Sequence, residues 1–560
     1  MKIKVTLTTL CLLCSLQAVY GQDWGWAHSV GDTSANTVSN AMCLYNGNDV
    51  IITGTFGSAS LKIGSHTLYS AGRGDIFIAR FNTAGDCLWA AGFGGTSDET
   101  GTAVAADSQG NIYLAGSFSS RSITFGNHTL QNKGDRDGFL VKIDHLKEVE
   151  WALGIGSIFD DEVTGIAVDS HDNIFVTGNV STDEIFTMKI DTGGNILWER
   201  WGAAEGRFFN FVTANSIAVD DDNNCYITGG FYEKLVFDGE DSIVSSYNQQ
   251  QGYYETNAFI AKYDKDGNFI NAVAIADFYN GKNICYSFNS LYVGGERMEY
   301  GMGWGWPLAH SEIFLGRYTT ALNEVWLRSA GGLNHYQSLD LPHGISADEK
   351  GNIYQTGSFF SEGIRFGPDS LENIFNEEYF HRQVFIFKYD SLGNALWGRA
   401  AGNMHCDAGK SIQVVSEDTF YLSGTYESEQ MEFGTHVLAN NSIVRLAYVH
   451  LRPPREYRNT FVFLAMHNSD PTFVPPMKDQ SRPHLYPNPA GDFVSVDIGG
   501  LPRKGGQVSV FSIDGKMVKM LPVNPGENLV RIDIRSLQRG VYLFKIAVDD
   551  NVSTHRILKK

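Results

Sequence analysis

Basic residues, cysteine pairs and long apolar segments are all scarce in this chain of 560 residues. Acidic residues number 63 against 43 Lys and Arg, and the formal net charge is −20. This balance argues against nucleic acid as a partner, because phosphate binding requires a basic surface. Five cysteines lie beyond residue 21 with no Cys-x-x-Cys pair, so neither a disulfide framework nor a zinc site is indicated.

No stretch approaches the roughly 20 apolar residues that a membrane helix needs, so we expect no integral membrane segment in the mature chain. The apolar run near the N-terminus, residues 7–16, is shorter and follows Lys2 and Lys4. Small and polar residues come next, at 18–22. This order is typical of a secretory signal peptide, and it predicts residues 1–21 as the part that is removed.

Internal repetition organises the next 450 residues or so. The segment Val-Ala-Ala-Asp-Ser-Gln-Gly-Asn-Ile-Tyr-Leu-Ala-Gly-Ser-Phe at 104–118 returns at 166–180, 217–231 and 345–359, with degenerate copies at 42–56, 284–297 and 412–426. A second segment, Gly-Phe-Leu-Val-Lys-Ile-Asp at 138–144, also has a counterpart in each unit, and a Trp follows in most. A short Phe-Gly hairpin separates the two segments in most units, whereas the third unit lacks it.

Each unit alternates apolar and polar residues with the period of two that indicates β-strands. The Asp-x-x-Gly-Asn string stands where one strand reverses into the next, and Gly and Asn supply the positive φ of a tight hairpin. Each repeat is therefore expected to be a sheet of four antiparallel strands. Such sheets stack radially, so the sequence predicts an all-β propeller of about seven blades over residues 22–469.

The two ends of this region predict how the ring closes. The string Trp-Gly-Trp-Ala-His-Ser-Val-Gly at 24–31 has the character of the strand that ends the other units, whereas the seventh unit stops at 460–467 without one. We expect the N-terminal strand to complete the last blade, because this pairing removes an exposed sheet edge. With these motifs the chain resembles the bacterial β-propeller repeat proteins, most closely in units two, three, four and six.

A different composition begins at residue 470. The segment 470–483 carries four prolines and is predicted to be a stiff linker. Residues 484–560 then show short alternating strands typical of a small β-sandwich. They resemble closely the C-terminal sorting domain of the type IX secretion system, known from Bacteroidetes. The matching motif residues are Pro487, Asn488, Pro489, Gly515 and Gly540.

The resemblance implies how the protein is exported, but not what it does after export. It implies export, handling by the type IX secretion machinery as a partner, removal of this domain, and release from the cell or attachment to its surface. The passenger would then be a secreted or outer-membrane surface-attached propeller.

Several segments along the propeller carry residues that could bind a partner or a metal. Arg-Gly-Asp at 73–75 could be an adhesion motif, but it falls in a degenerate repeat turn. The acidic strings at 220–224 and 264–268 have the closely spaced oxygens that calcium prefers. Both occupy hairpin turns that sister units make with fewer carboxylates, so we predict no metal and no cofactor. In the fifth unit, Tyr300, Trp304 and Trp306 could stack on a sugar or peptide ligand or pack on a neighbouring blade.

Catalytic signatures are missing: the chain has no Gly-x-Ser-x-Gly, no His-Glu-x-x-His and no phosphate loop. Arg297, Glu299, Glu312 and Arg317 share the fifth unit, but no pattern orders them into a glycosidase pair. We therefore expect a binding or scaffold module without enzymatic activity, engaging an extracellular glycan or protein. The alternative is a secreted propeller hydrolase or lyase that acts on polysaccharide or peptide.

Overall fold

The computed structural model describes residues 24–468 and 484–559, apart from 208–209, 240, 250–252, 303–306, 333–339, 362, 374–380, 403–404, 418, 434–435, 443, 446–455, 458, 487–492, 498–505, 514–515, 525–528 and 549–550. The predicted signal peptide (1–21) and linker (470–483) lie outside these residues. The regular elements that the structure describes are all β-strands.

The strands of the first two blades, with the N-terminal strand, are β1 (Trp24–Val30), β2 (Thr37–Tyr45), β3 (Asp49–Phe56), β4 (Ser60–Ile63), β5 (His66–Tyr69), β6 (Asp75–Phe81), β7 (Cys87–Phe93), β8 (Glu99–Ala106), β9 (Ile112–Phe118), β10 (Ser122–Phe125), β11 (His128–Gln131), β12 (Asp137–Ile143) and β13 (Val149–Ile155). The next two blades contain β14 (Asp161–Val168), β15 (Ile174–Val180), β16 (Glu184–Ile190), β17 (Ile196–Ala204), β18 (Val212–Val219), β19 (Cys225–Tyr232), β20 (Lys234–Phe237), β21 (Asp241–Val244), β22 (Tyr247–Asn248), β23 (Tyr253–Tyr254), β24 (Thr256–Tyr263) and β25 (Phe269–Ile275).

The last three blades contain β26 (Asn280–Ser287), β27 (Ser290–Met302), β28 (Pro307–Thr319), β29 (Glu324–Gly332), β30 (Leu341–Ala347), β31 (Ile353–Phe359), β32 (Gly363–Phe366), β33 (Asp369–Glu372), β34 (Gln383–Tyr389), β35 (Ala395–Ala401), β36 (Ala408–Ser416), β37 (Thr419–Tyr426), β38 (Gln430–Phe433), β39 (His436–Ala439), β40 (Val444–Arg445), β41 (Glu456–Tyr457) and β42 (Phe461–Asn468). The C-terminal domain contains β43 (His484–Tyr486), β44 (Phe493–Asp497), β45 (Gly506–Ser512), β46 (Met517–Val523), β47 (Leu529–Asp533), β48 (Gly540–Val548) and β49 (Asn551–Lys559).

The propeller strands form a closed ring of antiparallel sheets. Among the described residues there are seven blades, which we number by their innermost strands, β2, β8, β14, β18, β26, β30 and β36; blade 1 has the order β2-β3-β6-β7 and the others repeat it. Each inner strand contacts those of both neighbouring blades, and β36 contacts β2. Strand β1 pairs with β42 and is the outer strand of blade 7. The predictions of an all-β propeller and of an N-terminal strand that completes the last blade are confirmed.

The repeated Asp, Gly, Asn and Tyr form one hydrogen-bonded turn between the first two strands. In blade 2, Asp107 Oδ1 accepts from the amides of Gln109 and Asn111, both at 2.8 Å, and Oδ2 accepts from Asn111 Nδ2 at 2.7 Å and Tyr113 Oη at 3.0 Å. Gly110 has the positive φ of 78° that the turn requires. The same turn is built on Asp169, Asp220 and Asp348.

The repeated Gly of the second strand is explained by a bulge in the first. In each blade the pairing register skips a residue at the same place in the inner strand; these bulge residues are Asn40, Thr102, Thr164, Asn215, Lys282, His343 and Lys410. A Cβ on the opposing Gly would lie 1.7–2.2 Å from the carbonyl oxygen two residues before the bulge residue. The glycines are Gly54, Gly116, Gly178, Gly229, Gly295, Gly357 and Gly424. Only glycine lets the bulge form.

The recurring Trp connects neighbouring blades. Trp151 Nε1 of blade 2 donates to Thr192 O of blade 3 at 3.1 Å. In the same way, the indole of Trp198 donates from blade 3 to blade 4, and that of Trp326 from blade 5 to blade 6. Trp26, on β1 in blade 7, donates to Thr83 O of blade 1 at 2.9 Å. The Trp that the repeat places at each unit's end therefore also ties the two ends of the ring together.

The C-terminal domain is a small two-sheet structure, as predicted. One sheet has the order β43-β44-β47 and the other β46-β45-β48-β49. Alternate residues of both sheets, among them Val494, Val510, Ile532 and Phe544, are buried in one shared core. Gly540, a predicted motif residue, begins β48 with a φ of 154°. The other motif residues, Pro487, Asn488, Pro489 and Gly515, lie outside the described residues.

Candidate functional site

Five blades fill their outer edge with the hairpin that joins the second and third strands. In every case the first hairpin strand contacts the outer strand of the preceding blade, and the second contacts the outer strand of its own blade. The hairpins are β4-β5, β10-β11, β20-β21, β32-β33 and β38-β39. The hairpins of blades 4 and 6 also pair through their backbones with β17 and β29 of the preceding blades.

The first strand of each hairpin buries two apolar residues spaced by two. These pairs are Leu61 and Ile63, Ile123 and Phe125, Leu235 and Phe237, Ile364 and Phe366, and Met431 and Phe433. In blade 2 the Phe125 ring lies 4.9 Å from Phe139 of the third strand, between ring centroids. Phe237 and Phe433 contact the equivalent Phe259 and Phe463 at 6.2 and 5.2 Å. An apolar-x-Phe segment therefore fills the gap between blades in four of the five cases, and blade 1 has Leu-x-Ile instead.

Blade 3 has no such hairpin, and the gap between blades 2 and 3 is open. Strand β15 ends at Val180 and β16 begins at Glu184. A cavity of about 350 Å³ remains between β13 and β17. Its lining residues are Lys133, Leu153, Gly154, Ile155, Gly156, Ser157, Asp161, Val180, Phe186, Met188, Ile196, Glu199 and Trp201. We call it the interblade groove.

One wall of the interblade groove is Trp201, which differs from its counterparts. Trp201 pairs across the strands with Phe186, as Gly154 does with Phe139 in blade 2. A Cβ at Gly154 would lie 3.8 Å from Leu130 on the second hairpin strand. Trp201 therefore takes the place of that Leu, while the place of the first hairpin strand stays empty. The residue is 41% exposed, and its ring centroid lies 6.3 Å from that of Phe186.

The apolar surface continues beyond the groove. The loop that follows β13 contains Ser157, which lines the groove, and then Ile158 and Phe159, which are 75% and 54% exposed. Two polar groups at this end have partners: Asp161 Oδ2 accepts from Ser157 Oγ at 2.9 Å, and Lys133 Nζ donates to Gly156 O at 3.0 Å. The groove and the two exposed residues beside it therefore present mostly apolar side chains for contact.

The aromatic site predicted in blade 5 falls mainly outside the described residues. Tyr300 lies on β27 and pairs with Ala309 of β28, while Trp304 and Trp306 are not among the described residues. On the same two strands, Arg297 forms an ion pair with Glu312 at 3.7 Å. Arg317 donates to Ser290 Oγ and Ser391 O and so connects blade 5 to blade 6.

The other candidate motifs have structural roles where the structure describes them. Asp75 of the Arg-Gly-Asp string is buried at the start of β6. Asp220 accepts hydrogen bonds from the amides of Asp222 and Asn224, and Asp264 from those of Asp266 and Asn268. Within the described ranges, no group of three or more His, Cys, Asp or Glu has the spacing of a metal site.

The interblade groove was not identified from sequence, although a signal was present. The third unit has the shortest spacing between the Trp residues that recur once per repeat, from Trp151 to Trp198, because its hairpin is missing. That deletion becomes a cavity only through the neighbouring blade, whose strand β13 forms the opposite wall.

These features define a class: an all-β propeller joined to a C-terminal sorting domain. Residues 484–560 match the family described as secretion system C-terminal sorting domain, and residues 150–180 match the beta-propeller repeat family. The chain carries both elements, as the resemblance implied, and the type IX sorting domain indicates secretion and attachment to the cell surface. No helix of the described part is long and apolar enough to cross a membrane.

Curated relatives share only part of their length with this chain. An uncharacterized WD repeat-containing protein of Acanthamoeba polyphaga mimivirus is 27% identical over 36% of this chain and 18% of its own. The regulatory protein FlaEY of Caulobacter vibrioides is 26% identical over 24% of this chain and 14% of its own. The chain thus spans less than a fifth of either relative.

Among solved structures, the phage phi92 endosialidase has a TM-score of 0.37 at 12% identity and covers 88% of this chain and 74% of its own. A protein of unknown function from Bacteroides caccae has a TM-score of 0.31 at 12% identity, covering 58% and 89%.

Proposed function

We propose that this protein is a non-enzymatic binding module at the cell surface and that it holds a partner protein in the interblade groove. The observation that carries the proposal is the empty position between β13 and β17, which a hairpin strand occupies in five other blades. The groove has apolar walls, an edge strand on the β13 side and exposed aromatic residues at its rim. Apolar surface that stays exposed on a secreted protein is a common mark of an interaction site.

The hairpins of the other blades indicate which sequence pattern a partner segment needs in order to fit the groove. A single extended strand with an apolar residue followed two residues later by Phe fits, because Trp201 already takes the place of the Leu on the second hairpin strand. The Phe would contact Phe186, as Phe125 contacts Phe139. Backbone pairing with the free edge of β13 would add hydrogen bonds, which is the mode of β-strand addition. Burying one Phe side chain contributes about 1.5–3 kcal/mol.

The chain itself supplies a probe for this groove. A capped linear peptide with the sequence of residues 120–127, which contains Ile123 and Phe125, is expected to bind the mature protein in fluorescence polarisation. Trp201→Ala is expected to weaken binding at least about tenfold, since roughly 1.4 kcal/mol of contact is lost with the aromatic wall. Leu197→Ala is the matched control, because Leu197 is an exposed apolar residue of the same strand that does not line the groove.

Two further outcomes decide the interpretation. The peptide with Phe125→Ala should lose most of its affinity if the ring is the anchor; equal binding of both peptides would contradict the proposal. A second variant fills the groove with a segment of the protein itself. In this variant the hairpin of blade 2 is inserted in place of residues 181–183, and Trp201→Gly makes room for it. It is expected to melt at or above the wild-type temperature and to bind no peptide. Unchanged binding by this variant would mean that the peptide docks elsewhere.

The aromatic segment of blade 5 is proposed as a second contact, for glycans. Tyr300, Trp304 and Trp306 supply flat apolar faces on which sugar rings stack. A glycan array that shows the same binding after replacement of both Trp residues would remove this role. Turnover of polysaccharide or peptide by the purified propeller would instead support the alternative of a hydrolase or lyase.

A further inference from the structure

The seven bulge residues divide the innermost strands into a neutral sector and a basic one. In blades 1 to 4 the bulge residue is Asn or Thr, and its side chain donates to a backbone carbonyl of the next blade, as Asn40 does to Gly101 and Thr164 to Ala214. In blades 5, 6 and 7 the residues at this position are Lys282, His343 and Lys410. Three adjacent inner strands therefore carry basic side chains at one level of the ring.

A fourth basic residue, Arg382, adjoins this sector because its usual partners are missing. In blade 2 the equivalent Arg136 pairs with Asp160 at 2.7 Å and Glu162 at 3.3 Å. Both arginines precede their third strand and form the same isolated bridge, Arg136 to Asp160 and Arg382 to Cys406. The positions of Asp160 and Glu162 are thus occupied by Cys406 and Ala408 in blade 7. Within the described residues no carboxylate forms an ion pair with Arg382 or Lys410.

The positive charges of this sector act on one another. Burial and the charges of Lys410, Lys282 and Arg382 hold the pKa of His343 well below its ordinary value of 6.5. Burial, Arg382 and Lys282 lower the pKa of Lys410 from 10.5 to about 8. A lysine that is partly buried near other cations without an anionic partner is costly to keep charged.

The acidic groups nearby are already occupied. Lys282 pairs with Glu296 at 3.1 Å. Asp407 accepts from Ser428 and from the amide of Glu427. Glu427 accepts from Thr460 Oγ1 at 3.2 Å, and burial raises the pKa of its carboxyl. Neither Lys410 nor Arg382 forms an ion pair with a carboxylate among the described residues, although the charge of Arg382 acts on Glu427 and offsets part of that rise in its pKa.

We propose that Lys410, Arg382 and His343 form a binding site for a single oxyanion, the carboxylate or sulfate group of a small acidic ligand. Lys410 and Arg382 supply the charge, and Arg382 can offer two parallel N–H donors to two oxygens. His343, neutral at pH 7, supplies one donor. A bound oxyanion would take the role that Asp160 and Glu162 play beside Arg136. The site is separate from the interblade groove and stands whether or not that groove binds protein.

Titration of the full-length mature protein with sodium sulfate and with galacturonic acid, followed by calorimetry, tests the site. Binding of both probes indicates recognition of the oxyanion itself, and binding of galacturonic acid alone indicates an acidic sugar; neutral galactose should not bind. Lys410→Gln and Arg382→Gln are each expected to weaken binding at least about tenfold. Arg136→Gln is the matched control, because that guanidinium already has carboxylate partners, and it should leave affinity unchanged. An equal loss with Arg136→Gln, or no binding of either anion, would overturn the proposal.

The pH dependence of anion affinity provides a second test, because a lysine with only a structural role would not change it. Lys410 is charged below its pKa of about 8 and neutral above it, so affinity is expected to fall as pH rises from 7 to 10. In Lys410→Gln that fall should disappear. The same variant should melt a few degrees above wild type at pH 7 without ligand, since it removes an uncompensated charge. A lower melting temperature with affinity that still depends on pH would contradict the assignment of Lys410.

Discussion

Replacing Gly229 with alanine is expected to destabilise the propeller by about 3 kcal/mol or more, because the new methyl group has no space. Its Cβ would lie 1.7 Å from Thr213 O, a backbone atom of the inner strand that cannot rotate away. Blade 4 would have to give up either the bulge at Asn215 or the pairing of β18 with β19. Chemical denaturation of the mature protein measures the loss.

Gly25→Ala is the matched control for this substitution. Gly25 also lies within a strand, but the nearest atoms to its added Cβ are 3.8 Å and 3.9 Å away. We expect this control to change stability by no more than about 0.5 kcal/mol. If Gly229→Ala unfolded at the same denaturant concentration as Gly25→Ala, the bulge would not be the reason for the repeated glycine.

The second large effect concerns the closure of the ring. Trp26→Ala is expected to destabilise the protein by about 3–5 kcal/mol, the range for removing a buried aromatic side chain. Trp26 is 6% exposed and belongs to an apolar cluster shared by blades 7 and 1, with Met42, Val50 and Leu464 among its members. Its indole also donates to Thr83 O of blade 1. The thermal unfolding midpoint should fall, and the seam between β1 and β42 should lose its protection from hydrogen exchange first.

Trp26→Phe separates packing from hydrogen bonding at this seam. It keeps an aromatic ring but lacks the N–H donor, so we expect a loss of only about 1 kcal/mol. Trp201→Ala serves as the control, since the Trp201 residue is partly exposed and its hydrogen bonds to Asp238 of blade 4 run through its backbone, which the substitution keeps. Should Trp26→Ala melt like Trp201→Ala, the N-terminal strand would not hold the ring closed.

The two proposed sites arise in the same way, from one repeat that departs from its neighbours. The interblade groove exists because blade 3 omits a hairpin that five others keep, and the oxyanion site exists because blade 7 replaces the carboxylates that pair with Arg136 in the equivalent place. In both cases the intact copies show what chemistry the missing group supplied. The ligand expected at each site is a substitute for that group.

Local patterns carried the fold prediction because their determinants are close together in sequence. Asp107, Gly110 and Asn111 form their turn within five residues, so the repeated string identifies a hairpin wherever it occurs. The Trp repeat marked the outer strands, and its copy at Trp26 predicted the closing strand. In the C-terminal domain, alternation alone was enough to predict strands with one buried face.

The bulge residues show why the proposed oxyanion site could not be predicted from local sequence patterns. A bulge shifts the register by one residue, which reverses the faces of the residues that follow, so Lys410 and His343 do not stand out in the alternating pattern. Arg382 and Lys410 are 28 positions apart, and Lys282 is farther still. Their proximity depends on three blades being packed side by side around the axis.

The amino-acid sequence by itself determined the strand period, the turns, the repeat, the closing strand and the sorting domain, because each follows from residues that interact within one unit or from a motif of fixed spacing. Only the tertiary structure decided where a cavity opens and which charges lack a partner. Those properties belong to the interface between blades, where residues distant in sequence meet and the absence of one side chain or hairpin leaves space or charge that no single unit reveals.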